Sequence, residues 1–389
     1  DELAEKLDMS PVQLRKNNML KTGSITATGQ KIGSSCGLNQ AFDKVLEEIR
    51  FKRYNSKNTM SKIKKGMGLS AIFYGVGVGA EGKYFAKAAA QVYVKEDGSV
   101  VVAAGNVEMG QGAETVLNRI CSKVLGCTYD MVEILQPDTT RVPDSGPTVA
   151  SRTTMVAGRA LMDAAGQILD TFKKVAADKL GVKPFNINVE DNYYKSPKGQ
   201  ISYQDVVKEA YQRREKVAAQ GWFKIDDVSF DKDTGSGAAY PVYSFSANAC
   251  EVEVDTQTGQ VTVTKFAAAH DVGKVIHMNS AQGQIQGGVV QGIGYALYEN
   301  LCLEDGRIVN PSLTGYTIPT SMDVCDVKPI LVESPYEQGP YGAKGLGEPP
   351  IIGVAPAIIN AIYDAIGVRI RDIPALPEDV LRNLKMIKQ

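Results

Sequence analysis

The stretch Lys344-Gly345-Leu346-Gly347-Glu348-Pro349-Pro350 places one carboxylate between a glycine and a proline, directly before a long apolar run. The residues that follow, 351–366, have the composition of a buried helix. The two glycines allow close approaches that a Cβ would forbid, and Pro349 biases Glu348 toward extended backbone. We therefore expect Glu348 on a tight turn that leads into a buried helix, either as a general acid or base or as an ordinary helix cap.

The composition is typical of a globular chain with two or three lobes. Of the 389 residues, 43% are hydrophobic and 22% are charged, and the formal net charge is -1. This balance favours neither nucleic acid nor an anionic membrane as a partner. No uninterrupted apolar run reaches membrane-spanning length, and the first residues do not resemble a signal peptide. The chain opens on an amphipathic helical pattern without an initiator methionine, so we expect a processed subunit or a piece of a longer chain.

The cysteines do not form the pattern of a metal site. They are Cys36, Cys121, Cys127, Cys250, Cys302 and Cys325, without a C-x-x-C pair, and the histidines are His270 and His277. A zinc or iron–sulfur site built from this chain alone is therefore not expected. Reduced thiols agree with a cytoplasmic location, which we expect here. His270 is expected to be a strand-end histidine with satisfied hydrogen bonds.

Two parts of the chain repeat one arrangement, a hairpin followed by a glycine–glutamine turn and a helix. Asp97-Gly98 separates two β-prone runs, and the turn 255–259 separates two others. Apolar spacing predicts helices over 113–125, 151–180 and 282–298. This weak internal repetition predicts an α+β fold, with two related lobes of twisted mixed sheet and covering helices.

The division into domains follows from the same patterns. Residues 1–65 are predicted to be an N-terminal helical segment that continues from a missing preceding half. Residues 66–240 are predicted to form the first lobe, and 241–389 the second lobe, with Glu348. The tail 369–389 is not assigned to a helix or strand.

Three glycine-containing loops share one chemistry. They are Gly110-Gln111-Gly112, Gly146-Pro147-Thr148-Val149-Ala150-Ser151-Arg152-Thr153 and Gly283-Gln284. Each is expected to open a helix, where glycines let backbone N–H groups approach a ligand and the helix N-terminus favours an anion. A glutamine amide both donates and accepts, so it suits a heterocycle edge or a metal-oxo group. Each loop alone is more typical of an ordinary helix start, and none matches the nucleotide-binding glycine patterns.

Taken together, the motifs resemble the C-terminal half of the molybdopterin-binding region of the molybdenum hydroxylases, the xanthine dehydrogenase and aldehyde oxidoreductase family. The motifs that carry the resemblance follow the family's order: Glu108-Met109-Gly110-Gln111-Gly112, Pro147-Thr148-Val149-Ala150-Ser151, Asp271-Val272-Gly273, Gly283-Gln284-Ile285-Gln286-Gly287, Gln291-Gly292-Ile293-Gly294 and Lys344-Gly345-Leu346-Gly347-Glu348-Pro349-Pro350. The opening residues 3–18 also resemble a family segment, from mid-chain.

The resemblance implies that both predicted lobes, 66–240 and 241–389, bind molybdopterin, and it implies a set of site residues. The cofactor-binding residues would be Gly110, Gln111, Gly112, Thr148, Ala150, Ser151, Thr153, Gln284 and Gly347. Glu348 would be the catalytic general base, which takes a proton from the oxygen nucleophile that attacks an electron-poor carbon. Molybdenum would be held by the pterin rather than by side chains of this chain.

The resemblance also implies partners. The family's first molybdopterin loop lies in the preceding half, so we expect a large molybdopterin subunit or a missing N-terminal half to complete the site. Iron–sulfur clusters and FAD are expected on partner chains, and the cytosine dinucleotide is one possible form of the molybdopterin. The expected substrate is an N-heterocycle such as a purine or nicotinate, with an aldehyde as the close alternative. A non-catalytic binding or assembly protein of the same fold is the alternative of a different class.

Overall fold

The computed structural model describes residues 1–54, 60–80, 82, 85, 87–225 and 228–386. The helices are α1 (Glu2–Lys6), α2 (Pro11–Asn18), α3 (Leu38–Glu48), α4 (Ala113–Leu125), α5 (Thr153–Leu180), α6 (Tyr203–Gln212), α7 (Met278–Leu297), α8 (Pro349–Ile352), α9 (Val354–Ile366) and α10 (Pro377–Met386). The strands are β1 (Ile63–Val76), β2 (Lys87–Val94), β3 (Val100–Ala104), β4 (Val132–Ile134), β5 (Asn188–Glu190), β6 (Tyr193–Ser196), β7 (Gly199–Ser202), β8 (Ala218–Lys224), β9 (Val242–Asp255), β10 (Val261–Asp271), β11 (Leu303–Glu304), β12 (Arg307–Ile308) and β13 (Val327–Val332).

The first sheet has the strand order β1-β9-β10-β13. β1 and β9 are antiparallel along their whole length, β10 is antiparallel to β9, and β13 runs parallel to β10. The hairpin predicted at the turn 255–259 is therefore confirmed. α3 packs on one face of this sheet, and α7 and α9 pack on the other. Glycine at position 68 of β1 lets α9 lie close, because a Cβ there would be 2.0 Å from the carbonyl oxygen of Ala357.

The second sheet has the order β4-β3-β2-β8, and α5 covers it together with α4. β2 and β3 are antiparallel and pair Val94 with Val100, which confirms the hairpin predicted at Asp97-Gly98. Gly98 has a φ of +86°, the left-handed conformation that such a turn requires. On the covered side, α5 places a row of fully buried alanines and larger apolar residues against the strands.

The predicted α+β class is confirmed, with two mixed sheets and covering helices. The assignment of one strand is corrected: β1 starts at Ile63 and pairs with β9, so the predicted boundary at residue 65 falls inside a strand of the first sheet. The division of the chain into domains at 1–65, 66–240 and 241–389 remains a prediction. In the predicted tail, α10 forms and residues 387–389 lie outside the described part of the chain.

The apolar segment after Glu348 is two helices rather than one. α8 ends at Ile352, α9 begins at Val354, and Gly353 lies between them. Glycine is needed at position 353, because a Cβ there would lie 2.1 Å from the side-chain nitrogen Nδ2 of Asn248. The stretch Pro349–Ile366 is apolar and long enough to cross a membrane, but 61% of it is buried within the fold, as in a core helix.

The face of the first sheet beneath α8 carries polar side chains. Ser244 Oγ donates to the carbonyl of Gly345, and Asn248 and Ser70 are hydrogen-bonded below Gly353. His270 lies on this sheet opposite Ser246, and both of its ring nitrogens lack a partner among the described residues. The expectation of a satisfied histidine was therefore wrong. Complete burial lowers the pKa of His270 to about 3, since the charged imidazolium would be desolvated.

This burial predicts a pH-dependent stability. Between pH 3 and pH 6.5 the unfolded chain binds a proton that folded His270 does not bind, so the free energy of unfolding falls as the pH is lowered. In His270→Leu, the loss of stability between pH 8 and pH 5 should be smaller by about 2 kcal/mol. Urea denaturation at the two pH values measures it. An unchanged pH dependence would contradict a buried neutral imidazole.

The close contact between β1 and α9 predicts that a side chain at position 68 would destabilise the fold. Gly68→Ala places a methyl group against helix backbone that cannot rotate away, and it should destabilise the chain by about 1–3 kcal/mol. Gly166→Ala is the matched control, because position 166 of α5 has no described atom within 4 Å of an added Cβ. The control should be neutral or stabilising by up to about 1 kcal/mol. Urea denaturation midpoints of the two variants would decide this.

Candidate active site

The loop that carries Glu348 is fixed from below by a buried ion pair. Lys344 Nζ lies 2.7 Å from Asp271 Oδ2, and neither side chain is exposed. The same ammonium donates to the carbonyl oxygens of Ser35 and Tyr243 at 3.1 and 3.0 Å. Asp271 also accepts from the backbone N–H of Gly37. Burial lowers the pKa of Lys344, and the Asp271 carboxylate opposes that change.

Three donors hold the Glu348 carboxylate. The N–H of Ala150 donates to Oε1 at 3.0 Å, the Tyr74 hydroxyl donates to Oε2 at 2.6 Å, and the Ser151 hydroxyl donates to Oε2 as well. Ser151 Oγ also accepts from the backbone N–H of Glu348 at 2.9 Å. Glu348 has helical backbone dihedrals rather than the predicted extended ones, because these contacts outweigh the preference imposed by Pro349.

Ala150 and Ser151 both adopt left-handed backbone, with φ of +55° and +53°. Non-glycine residues reach this region at a cost of order 1–3 kcal/mol each, so the surrounding contacts must enforce it. Gly345 is one of these contacts, because a Cβ there would lie 2.0 Å from the Ser151 carbonyl oxygen. The loop that ends at Ser151 and the loop of Glu348 therefore pack directly against each other, and each restricts the backbone conformation of the other.

Tyr74 was not singled out in the sequence. It belongs to β1, and its hydroxyl reaches the carboxylate of a residue 274 positions away. Burial and the adjacent Glu348 carboxylate raise the pKa of Tyr74, so its hydroxyl stays protonated as a donor. The only local sign was its place before Gly75 in an apolar, glycine-broken run, which does not distinguish it from a packing tyrosine.

The Gly110-Gln111-Gly112 loop forms the start of α4, as predicted, but its hydrogen bonds are internal. The Gln111 amide donates to the Val107 carbonyl at 2.8 Å and accepts from the Met109 N–H at 2.7 Å. Glu108 accepts from the N–H groups of Gly110, Gly112 and Glu114. Although burial works against it, these backbone donors hold the pKa of Glu108 below its usual range. Glu108 therefore fills the anion position at this helix start.

Arg152 is a second residue whose role the sequence did not reveal. Its side chain is buried and donates to the carbonyl oxygens of Ser145, Pro147 and Lys87. The guanidinium thereby binds three carbonyls around the loop 143–148 that precedes α5. It serves to hold that loop in place.

The predicted residues converge on one cavity of about 280 Å³. Those that line it are Gln111, Gly112, Thr148, Ser151, Thr153, Gln284, Gly347 and Glu348. Gly110 and Ala150 do not line the cavity, but Ala150 reaches it through its hydrogen bond to Glu348. Gln284 lies in the second turn of α7 rather than at its start, since the helix begins at Met278. The assignment of all these residues to a cofactor stays a prediction.

The cavity suits a ligand with an anionic group. The first residues of α5 and α7 line it, and neither N-cap residue, Arg152 or His277, caps its helix with its side chain. Free N–H groups and the helix dipole favour negative charge at such positions. Among the described residues, no three His, Cys, Asp or Glu side chains cluster to hold a metal ion.

The buried ion pair predicts a large effect of one substitution. Lys344→Met leaves the Asp271 carboxylate buried and uncompensated, which should cost about 3–5 kcal/mol of the free energy of unfolding. The double variant Lys344→Met/Asp271→Leu should recover part of this loss, because no charge then remains buried. Urea denaturation of the full chain measures the cycle. A single variant as stable as the natural chain would contradict the role of the pair.

Comparisons with known proteins identify the family of this chain. The family model described as the molybdopterin cofactor-binding domain matches residues 43–325. A protein of Bacillus subtilis (strain 168), named as a probable xanthine dehydrogenase subunit, is 30% identical over 100% of this chain and 51% of its own length. The aldehyde oxidoreductase of Megalodesulfovibrio gigas is 32% identical over 99% of this chain and 40% of its own.

The solved structures include quinoline 2-oxidoreductase from Pseudomonas putida 86. It shares 26% sequence identity, with a TM-score of 0.87 over 99% of this chain and 50% of that one. This chain thus spans about half the length of the relatives that it matches, and it corresponds to their C-terminal half. The motifs, the fold and the family match agree: the chain belongs to the molybdopterin cofactor-binding domain family of the xanthine dehydrogenases and aldehyde oxidoreductases.

Proposed function

We propose that this chain supplies one wall of the cofactor site and the general base of a molybdenum-dependent hydroxylase. The observation that carries the proposal is the Glu348 carboxylate, which three hydrogen bonds orient at the edge of a cavity. A carboxylate held in this way on rigid elements has the fixed geometry that proton transfer requires. The same cavity combines two uncapped helix starts with the amide of Gln284.

When bound, the molybdenum–pterin group supplies the redox chemistry. The residues of this chain would bind and orient it: the N-termini of α5 and α7 on its anionic side, and Gln284 through its amide. Glu348 would accept a proton at Oε1 or Oε2. All three of its partners are donors, so they suit the charged carboxylate, and Ala150 and Ser151 keep the carboxylate in place while it reacts.

The substrate in this proposal is an electron-poor N-heterocycle such as a purine or nicotinate. Apolar side chains that include Met109, Val116, Val149, Ile276 and Leu346 line the cavity, and flat rings bind to such walls. Relatives whose names refer to xanthine and quinoline support this choice. An aldehyde is the second candidate, favoured by the relative named aldehyde oxidoreductase.

The proposed complex contains more chains than this one. Because the chain spans about half of its relatives, the rest of the cofactor site would come from a large molybdopterin subunit or a preceding N-terminal half. Electrons would leave through iron–sulfur clusters and FAD on partner chains, and the cofactor would be molybdopterin, in the simple or the cytosine dinucleotide form. The proposed location is the cytoplasm.

The test is Glu348→Gln in the complex purified from the native source. We expect kcat/KM to fall by about 10²–10⁴-fold while molybdenum and pterin contents stay unchanged, because the amide keeps the shape but cannot accept the proton. Glu337→Gln is the matched control, an exposed glutamate upstream of the same loop. Full turnover in Glu348→Gln would refute the base assignment. A natural complex without molybdenum and pterin would instead leave a non-catalytic assembly protein.

A further inference from the structure

The segment between α7 and β13, residues 299–326, is an arm with outward-facing apolar side chains. Its exposed large apolar residues are Leu301, Leu303, Ile308, Val309, Leu313, Ile318 and Met322. Leu313 and Met322 are 71% and 90% exposed, so they bury only a minor part of their surface in this chain. A concentration of this kind within one short segment is typical of a protein interface.

Hydrogen bonds fix much of the shape of the arm, and at its end Val324 and Cys325 pack against the apolar core. The Asn310 side chain accepts from the N–H of Cys302 at 2.9 Å and donates to the carbonyl of Asn300 at 2.7 Å. The Tyr316 hydroxyl donates to Glu299 at 2.5 Å. The arm is thus ordered by its own hydrogen bonds while most of its large apolar side chains remain exposed. This is the arrangement of a surface formed before its partner binds.

The outer face of α7 connects this arm to the cofactor cavity. Gly283, Gln286, Gly287, Gln291 and Tyr295 form one exposed line along the helix. The line starts beside Gln284 in the cavity and ends next to the arm, over about 18 Å at 1.5 Å per residue. A protein domain that packs along α7 would therefore contact both the mouth of the cavity and the arm.

The glycines of α7 fall into two groups. On the inner side, a Cβ on Gly288 would lie 2.4 Å from Pro350, and a Cβ on Gly292 would lie 2.3 Å from Val354. On the outer side, Gly283 and Gly287 have no atom of the described residues within 4 Å of an added Cβ. Each glycine inside a helix costs about 1 kcal/mol relative to alanine. The inner glycines serve packing within this chain, and the outer two have no such use in it.

From these observations we infer that the arm and the outer face of α7 together form the docking surface for the half of the molybdopterin-binding region that this chain does not contain. Two arguments identify this occupant. The chain corresponds to the C-terminal half of its relatives, so their N-terminal half, which is of similar length, has no counterpart in it. The docking surface also begins at the cofactor cavity, which that N-terminal half would have to close. The inference rests on the proposed function for the identity of the occupant.

The first experiment is Gly287→Leu, with Gly166→Leu on α5 as the matched control. Both replace an unhindered helical glycine by a better helix former, so both full chains should melt at or above the temperature of the natural chain. In the tagged complex purified from the native source, Gly287→Leu should reduce the recovered partner at least about ten-fold if the other half is a separate chain, or make the junction between the halves sensitive to limited proteolysis if both halves are one chain, whereas Gly166→Leu should do neither. Normal recovery of a separate partner, or unchanged protease resistance of a single chain, with Gly287→Leu would overturn the inference.

The second experiment identifies what is bound. A photo-crosslinking p-benzoylphenylalanine is placed at position 313 of the arm in the same complex, and the adduct is sequenced by mass spectrometry. We expect the adduct in a segment that matches the N-terminal half of the molybdopterin-binding relatives, on a separate chain or earlier in the same one. An adduct with a second copy of this chain, with an iron–sulfur or flavin chain, or none at all would overturn the inference.

The two proposals fail differently. Molybdenum and pterin are measured in the same preparations. If the expected adduct forms in a complex without cofactor, the proposed catalytic function fails and the docking surface stands. If cofactor and turnover are present but the adduct lies elsewhere, the docking surface fails and the proposed function stands.

Discussion

The buried ion pair between Lys344 and Asp271 is the constraint on which the site depends. A fully desolvated charge is stable only with a partner of opposite sign and with its remaining donors satisfied. Lys344 meets this requirement with Asp271 and two carbonyl groups, which come from the N-terminal segment and from β9. One ammonium thus joins four separate parts of the chain directly below the loop of Glu348. The loop cannot move without separating charges in a dry interior.

The position of Glu348 follows from this constraint in two steps. Lys344 fixes the start of the loop, and Gly345 allows the strained backbone of Ser151 to lie against it. Ser151 then holds Glu348 through both its backbone N–H and its carboxylate. The left-handed backbone of Ala150 and Ser151 and the buried Lys344–Asp271 pair would each be unfavourable alone. They occur together because the loop held by Lys344 packs against Ser151 through Gly345.

Features that depend on neighbouring residues could be predicted from the sequence. The hairpins at Asp97-Gly98 and 255–259 and the long helix α5 follow from turn chemistry and apolar spacing. Glu348 was found because a carboxylate is unusual before an apolar run. Tyr74 was not found, since its contact to Glu348 joins positions 274 residues apart and leaves no local pattern. For the same reason the pairing of β1 with β9 was not predicted, and the self-contained hydrogen bonds of Gln111 could not be distinguished from ligand contacts.

Glu108 has a consequence for how charge is distributed around the cavity. Of the three helices that start there, α4 already carries a built-in anion, because the Glu108 carboxylate binds its first N–H groups. At the starts of α5 and α7 the N-cap side chain makes no such hydrogen bond. Glu108 therefore occupies the anion position at α4, whereas the positive helix ends of α5 and α7 remain available to a ligand. A molecule with one anionic end would be attracted to the cavity in one orientation and repelled in the reverse, so this distribution of charge favours one orientation of an asymmetric ligand.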